Sequence, residues 1–279
     1  MPLITLKEAL EYAQENNCAI PAFNIDNMEG VQALISAAEQ ENNYPIILSI
    51  GQGAILDGKL YTLAMVVRYM AQHTDVPLVI HLDHGKDYEQ VINCLCAGFT
   101  SVMIDGSHLP LEENISLTQR VVAAASAVGV SVEAELGAIG GTEDNLSVDE
   151  SKAALVNVEE VKIFTSRVKV DALAVGIGNA HGLYIGEPKL DFDCLQRVTQ
   201  ATDIPLVLHG GSGIPDSMIK KSIALGMRKI NVATEIRHAY IRGLMEEKEA
   251  MEIYAMSGAG KKQIVALARQ KIQLFKNRD

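Results

Sequence analysis

Eight short apolar runs, each followed by a segment of helical periodicity, limit the shapes open to this 279-residue chain. The runs are Ala19 to Ile25, Pro45 to Ile50, Pro77 to Leu82, Ser101 to Ile104, Ser131 to Leu136, Ala172 to Ile177, Pro205 to Leu208 and Lys229 to Ala233. Between them lie Leu60 to His73, Tyr88 to Ala97, Glu112 to Val128 and Asp216 to Leu225. After the first run, Val31, Leu34, Ile35 and Ala38 follow the spacing of one helical face. An unbroken apolar run is a strand covered on both sides, and parallel strands alternating with helices supply that cover. Eight such units, in a chain near the roughly 250 residues typical of the fold, predict an α/β (β/α)8 TIM barrel. The expectation is one domain over residues 1–279, with a leading helix at Thr5 to Asn16 and an extra helix from Gly258 onward. An open doubly wound sheet competes with this reading. Against it, GIGNAHG after the sixth run carries His181 where a dinucleotide fingerprint has its third glycine, and no such fingerprint follows the first run.

Composition restricts the partners. A net charge of -11 repels nucleic acid and anionic membranes, so neither is expected. A small anionic substrate then needs a local basic or metal site. Cys18, Cys94, Cys96 and Cys194 form no CxxC pair and no disulfide-framework spacing, which points to reduced, structural thiols in a cytoplasmic setting. The amino terminus lacks a basic segment followed by an apolar one, and no apolar run reaches the roughly 20 residues of a membrane helix. The chain reads as a soluble cytoplasmic protein.

Barrels of this kind work at the carboxyl ends of their strands. Those ends carry Asn24, Ser49, Asp83 with His84, Asp105, Glu135, Asn179 with His181, His209, and Asn231 with Thr234. Packing does not account for a polar group at every end. His84, His181 and His209 each precede a glycine. Three neutral imidazoles with an open fourth position are the donor set of a catalytic zinc site, and cobalt, iron or manganese suit the same donors. Asp83, adjacent to a ligand, is placed for general acid–base chemistry, with an orienting carboxylate as the alternative. Glu135 supplies an alternate metal position or holds a histidine. His81 shares strand parity with Asp83 and reads as core or support, while His73, His108 and His238 read as surface or loop residues. After the fifth run, GAIGGTEDNLSVDES reads as a mobile loop whose Glu143 or Asp144 closes over the site as a base, or else as a solvated acidic loop. HGGSG, residues 209–213, offers backbone N–H groups and the Ser212 hydroxyl to a phosphate, and INVATE opens a helix whose first N–H groups face an anion.

Taken together, LDHG, EAELG, GGTED, GNAHG, LVLHGGSG and KINVATE, in this order, resemble the class II, zinc-dependent ketose-bisphosphate aldolases. The resemblance spans essentially the whole chain, from Phe23 and Asn24 to the C-terminal helix. It implies that His84, His181 and His209 hold zinc, that Asp83 transfers the hydroxyl proton, and that Glu143 exchanges the proton on the triose carbon. It implies further that Gly182, Gly210, Gly211, Ser212, Asn231, Ala233 and Thr234 surround a dihydroxyacetone phosphate, with a monovalent cation, Na+ or K+, near that phosphate. A homodimer or homotetramer is what the family suggests. No lysine is placed for a Schiff base, since nothing around Lys86 points to burial. Alanine at Ala233 resembles tagatose-bisphosphate aldolases, whereas many fructose-bisphosphate members carry an acid there. Two departures stand out: Ile185 occupies a place where some relatives have a lysine, and HLDHG lacks the second histidine of HLDHH. Arg237 matches a position that in some members reaches the distal phosphate, with a solvated helix residue as the equal alternative. A ketose 1,6-bisphosphate is thus the expected substrate, tagatose slightly ahead of fructose. Another phosphorylated keto-sugar or keto-acid, or a zinc-dependent hydrolase on the same barrel, is the alternative.

Overall fold

The computed structural model describes residues 3–143, 146–148, 155–182, 184 and 186–277, with 142, 143 and 146–148 as backbone. A closed parallel barrel is formed by β1 (Ile20–Asn24), β2 (Ile46–Ile50), β3 (Leu78–Gly85), β4 (Ser101–Ile104), β5 (Ser131–Leu136), β8 (Ala172–Val175), β10 (Leu206–Leu208) and β11 (Met227–Val232). Each of these strands overlaps an apolar run of the sequence, with β3 continuing past Leu82 to Gly85 and β11 starting at Met227, two residues before Lys229. Two short strands, β6 (Gly140–Glu143) and β7 (Leu146–Val148), form an antiparallel hairpin, and β6 also pairs in parallel with β9 (Ala180–His181). This hairpin corrects the reading of residues 137–151 as a loop. Strands of three or four residues are too short to show a side-chain period.

Helices cover the outside: α2 (Met28–Gln40), α3 (Gln52–Leu56), α4 (Leu60–Met70), α5 (Tyr88–Ala97), α6 (Leu111–Ser126), α7 (Val158–Arg167), α8 (Phe192–Ala201), α9 (Asp216–Ala224) and α10 (Thr234–Glu246). Several start on a residue whose side chain takes an orphan N–H of the first turn. Asn27 caps α2, Asp87 caps α5 and Asp191 caps α8. The leading helix α1 (Leu6–Glu15) opens on a capping box, Thr5 with Glu8, and buries Leu6, Ala9, Leu10 and Ala13. Lys7 N donates to Ser131 Oγ at the start of β5, so α1 sits at the amino-terminal mouth. The final helix α11 (Ile253–Phe275) begins five residues before Gly258, on a Glu252 cap, and packs along α10 and α2. Among the described residues no helix is long and apolar enough to cross a membrane.

The apolar core lies between the strands and this helical shell. The barrel interior is different. Residues paired laterally in a sheet share a face, so Asn24, Ser49, His81 and Ser101 line the same side. With Asp83, Glu133, Glu135, Lys229 and Asn231 they form a buried polar lining. Branched apolar side chains dominate the usual interior of this fold.

Candidate active site

The three histidines meet at the carboxyl end of the barrel. The His84 ring centroid lies 4.8 Å from that of His181 and 4.6 Å from that of His209, and one ligating atom from each ring falls within 4.8 Å of the others. The outward nitrogens of two rings are tied to carboxylates: His84 Nδ1 lies 3.0 Å from Asp105 Oδ2, and His209 Nε2 lies 2.9 Å from Glu133 Oε1. An ionised carboxylate only accepts, so each of these nitrogens carries the ring proton. That leaves His84 Nε2 and His209 Nδ1 facing one another at 2.8 Å. Two lone pairs so placed require a proton or a cation between them.

The surrounding charges favour positive charge at this point. Burial alone would depress His84, but the Asp105 hydrogen bond and the charges of Asp83 and Glu135 hold it well above its usual range. Burial, then the charge on His84, pushes both His181 and His209 down. The cluster therefore concentrates positive charge at one point among acids and keeps two rings neutral, which fits a dication on imidazole donors. Glu135 adds to the fit. Burial and the neighbouring Asp105 charge hold its carboxyl well above the usual range, and its Oε2 lies 4.0 Å from His84 Nδ1 without a hydrogen bond. His84, Asp105 and Glu135 form a second set of donors within the same limit.

Asp83 and His84 are neighbours in the chain, yet both serve the barrel mouth. The register of β3 against β4 shifts between Leu82 and Gly85, and His84 takes a left-handed φ of 49°. Such a conformation is uncommon for a residue with a Cβ and is held by its surroundings. Here Gln52 Nε2 donates to the His84 carbonyl at 2.8 Å, and Gln52 exchanges two amide hydrogen bonds of 2.9 Å with Gln90. Neither glutamine is marked by a motif. Asp83 is buried and accepts from Asn24 Nδ2 at 3.0 Å and from Asn231 Nδ2 at 3.1 Å. Burial raises its carboxyl, but His84, His209, Lys229 and His81 outweigh this and keep it well below the usual carboxylate range. Asn24 and Asn231, read from sequence as substrate contacts, thus also hold Asp83. Their Oδ1 atoms, and Ser49 Oγ, are buried without a hydrogen bond. Such atoms call for a polar ligand or water.

The segments read from sequence as a phosphate cradle are built less freely than their sequence implied. Gly210 has a φ of 64°, and a Cβ there would collide with the Ala180 carbonyl oxygen. The Gly211 N–H is already spent on the Asn231 carbonyl at 2.9 Å, so it is not a donor for an anion. Ser212 Oγ accepts from Glu235 N in the first turn of α10, at 3.4 Å. Thr234 opens that helix, and Ala233 before it supplies no side-chain cap. Gly182 has a left-handed φ of 88°, and Tyr184 OH bridges Ala180 N and the Gly210 carbonyl, each at 3.0 Å. Arg237, partly exposed, grips Asp26, just past β1, with Nε at 2.8 Å and Nη2 at 3.2 Å. Glu143 ends β6, whose Gly140 and Gly141 pair with Ala180 and His181; its side chain, like Asp144 and Ile185, lies outside the described residues.

Sequence reading passed over Glu133 and Lys229. Glu133 falls inside an apolar run and Lys229 heads one, and both are completely buried in the barrel. Lys229 Nζ lies 2.9 Å from Glu133 Oε2 and 3.1 Å from Oε1. Lys86, weighed for a Schiff base, is exposed near Asp87.

Comparison with known proteins follows this geometry. Residues 4–279 match the family described as fructose-bisphosphate aldolase class-II. The chain is 39% identical to a sulfofructosephosphate aldolase of Alkalicoccus urumqiensis over 279 residues, covering 99% of this chain and 97% of that one. It is 44% identical to the D-tagatose-1,6-bisphosphate aldolase subunit GatY of Klebsiella oxytoca over 240 residues, 86% and 84% of the two chains. The crystal structure of the YdjI aldolase from Escherichia coli K12 superposes with a TM-score of 0.87 at 33% identity, over 98% of this chain and 97% of that one.

Proposed function

The chain belongs to the class II fructose-bisphosphate aldolase family, and from that premise we propose that it cleaves a ketose 1,6-bisphosphate, tagatose ahead of fructose, to dihydroxyacetone phosphate and glyceraldehyde 3-phosphate. The observation that carries the reading is the meeting of three imidazoles beside an ionised, doubly anchored Asp83. His84, His181 and His209 would hold zinc, with Glu135 as an alternate ligand. When bound, the metal polarises the ketose carbonyl and stabilises the negative charge released on C3.

Asp83 removes the C4 hydroxyl proton as the C3–C4 bond breaks. Its depressed basicity means that it begins ionised, and Asn24 and Asn231 keep both oxygens oriented. Glu143, carried on the hairpin paired to the His181 strand, returns a proton to C3. Gly182, Gly210, Ser212 and Thr234 border the triose phosphate, with Gly211 contributing close packing rather than an N–H. Asn24 Oδ1, Ser49 Oγ and Asn231 Oδ1 are acceptors for substrate hydroxyls. Arg237, already paired with Asp26, is the candidate for the distal phosphate. A hydrolase on the same barrel would need neither the phosphate segments nor the hairpin glutamate.

Ala233 supports tagatose, since the resemblance places an acid here in many fructose enzymes. The two substrates differ only in configuration at C4, so one such contact can invert the preference. The sulfofructosephosphate aldolase relative favours a second reading, in which a sulfonate replaces the distal phosphate. Initial cleavage rates with all three ketoses, with and without a chelator, test the proposal. Chelator-sensitive cleavage with the highest kcat/KM for tagatose 1,6-bisphosphate is expected. Preference for the sulfonated sugar supports the second reading, and no cleavage of any of them contradicts both.

A further inference from the structure

Lys229 stands mid-strand in β11, below the metal ligands and completely buried. An ammonium has three protons and no acceptor. Here it donates to Glu133 Oε1 at 3.1 Å and to His81 Nε2 at 3.5 Å, and it pairs ionically with Glu133 Oε2 at 2.9 Å. Because an ammonium only donates, His81 Nε2 accepts from it, and the ring proton falls to Nδ1, which faces Ser101 Oγ at 2.8 Å. Glu133, held by the ammonium, then accepts from His209 Nε2 at 2.9 Å. Lys229 and His209 thus both donate to Glu133, and the ring held in this way turns its Nδ1 to His84 Nε2.

We propose that Lys229 is a positioning residue for the metal centre: its ammonium holds the Glu133 carboxylate so that His209 is fixed as the Nε2–H tautomer, with Nδ1 presented to the metal. The inference rests on the metal-binding reading of the three histidines. Lys229 acts through Glu133 and touches neither substrate nor metal. Without it, the Glu133 carboxylate loses the partner that orients it and His209 is free to turn or change tautomer. Groups that orient a ligating histidine typically change metal affinity by about 10–100-fold.

The test is the zinc dissociation constant of the full chain, measured by competition with a chromophoric chelator. Lys229→Met is expected to weaken zinc binding by about tenfold or more. Adding Glu133→Gln to that variant should restore affinity to within about threefold of wild type, by the same logic of ligand orientation. The new amide accepts from His209 through its oxygen and donates to His81 through its nitrogen, reproducing both contacts. A purely structural role gives no such rescue. Unchanged zinc affinity in Lys229→Met, or equal loss in the single and double variants, overturns the inference. Should Lys229→Met not fold, nitrogen-15 spectra of the wild-type histidines decide, with a proton on His209 Nε2 expected and one on Nδ1 contradicting it. A wild-type chain that takes up no zinc overturns the metal reading itself.

Discussion

At the scale of single residues, the site is a set of acids that keep one another useful by what they contact. Asp83 stays ionised because four basic groups outweigh its burial, and it stays in place because Asn24 and Asn231 each hold one oxygen. Replacing either asparagine by alanine should lower kcat by about ten- to a hundredfold, the range expected when a proton-transfer group is displaced. Zinc content should stay at wild type, and metal analysis beside steady-state kinetics checks both. Glu133 gives a pH prediction. Burial pushes its carboxyl up, but the Lys229 charge, the His209 hydrogen bond and His81 bring it down to about 2. A folded value below the unfolded value of about 4.3 means stability that is present above that pH and lost as pH falls toward 2. Chelator-treated Lys229→Met/Glu133→Gln protein should therefore lose less stability between about pH 4.5 and 2.5 than wild type, as read by urea denaturation at stepped pH. The histidines and Asp83 were legible from strand-end position and neighbouring glycines. Glu133 and Lys229 were not, because a charged residue within an apolar run looks like an interruption until the barrel closes around it.

At the scale of elements, the register shift in β3 turns two consecutive residues toward one site. Gln52, in the first turn of α3, secures the bulge through the His84 carbonyl. Gln52→Ala should raise the zinc dissociation constant by about tenfold while leaving the far-UV circular dichroism unchanged, since the glutamine orients a ligand from outside the metal. Unaltered affinity would show that β3 holds its left-handed residue unaided. The strand and helix order was legible because eight apolar runs recur between helical periods. The hairpin of β6 and β7 was not, since its strands are too short to carry a pattern and are defined by their pairing with each other and of β6 with β9. At the far end of the chain, α11 is clamped where Glu41 accepts from Arg269 Nε at 3.0 Å, Gln273 Nε2 at 2.9 Å and Lys276 Nζ at 3.0 Å. Glu41 is almost buried, and Glu41→Ala should cost about 1–3 kcal/mol in chemical denaturation with cleavage retained in the folded protein.

At the scale of the whole molecule, the fold separates two jobs. The shell of helices against the outer strand faces supplies the apolar core, and the amino-terminal end is closed by α1. The interior is thereby released to carry Asn24, Ser49, His81, Asp83, Glu133, Glu135, Lys229 and Asn231 in one connected polar lining. Its upper part carries Asp83, the proposed proton-transfer acid, beside His84, His181 and His209, and its lower part reaches His209 through Glu133. In the proposed reaction Asp83 moves the hydroxyl proton beside a metal that the three histidines would hold. The most direct test is cleavage by zinc-loaded Asp83→Ala protein, with metal content measured on the same sample. Zinc bound as in wild type, with cleavage reduced by at least about a hundredfold, is the predicted result. Cleavage near the wild-type rate with zinc still bound would contradict it.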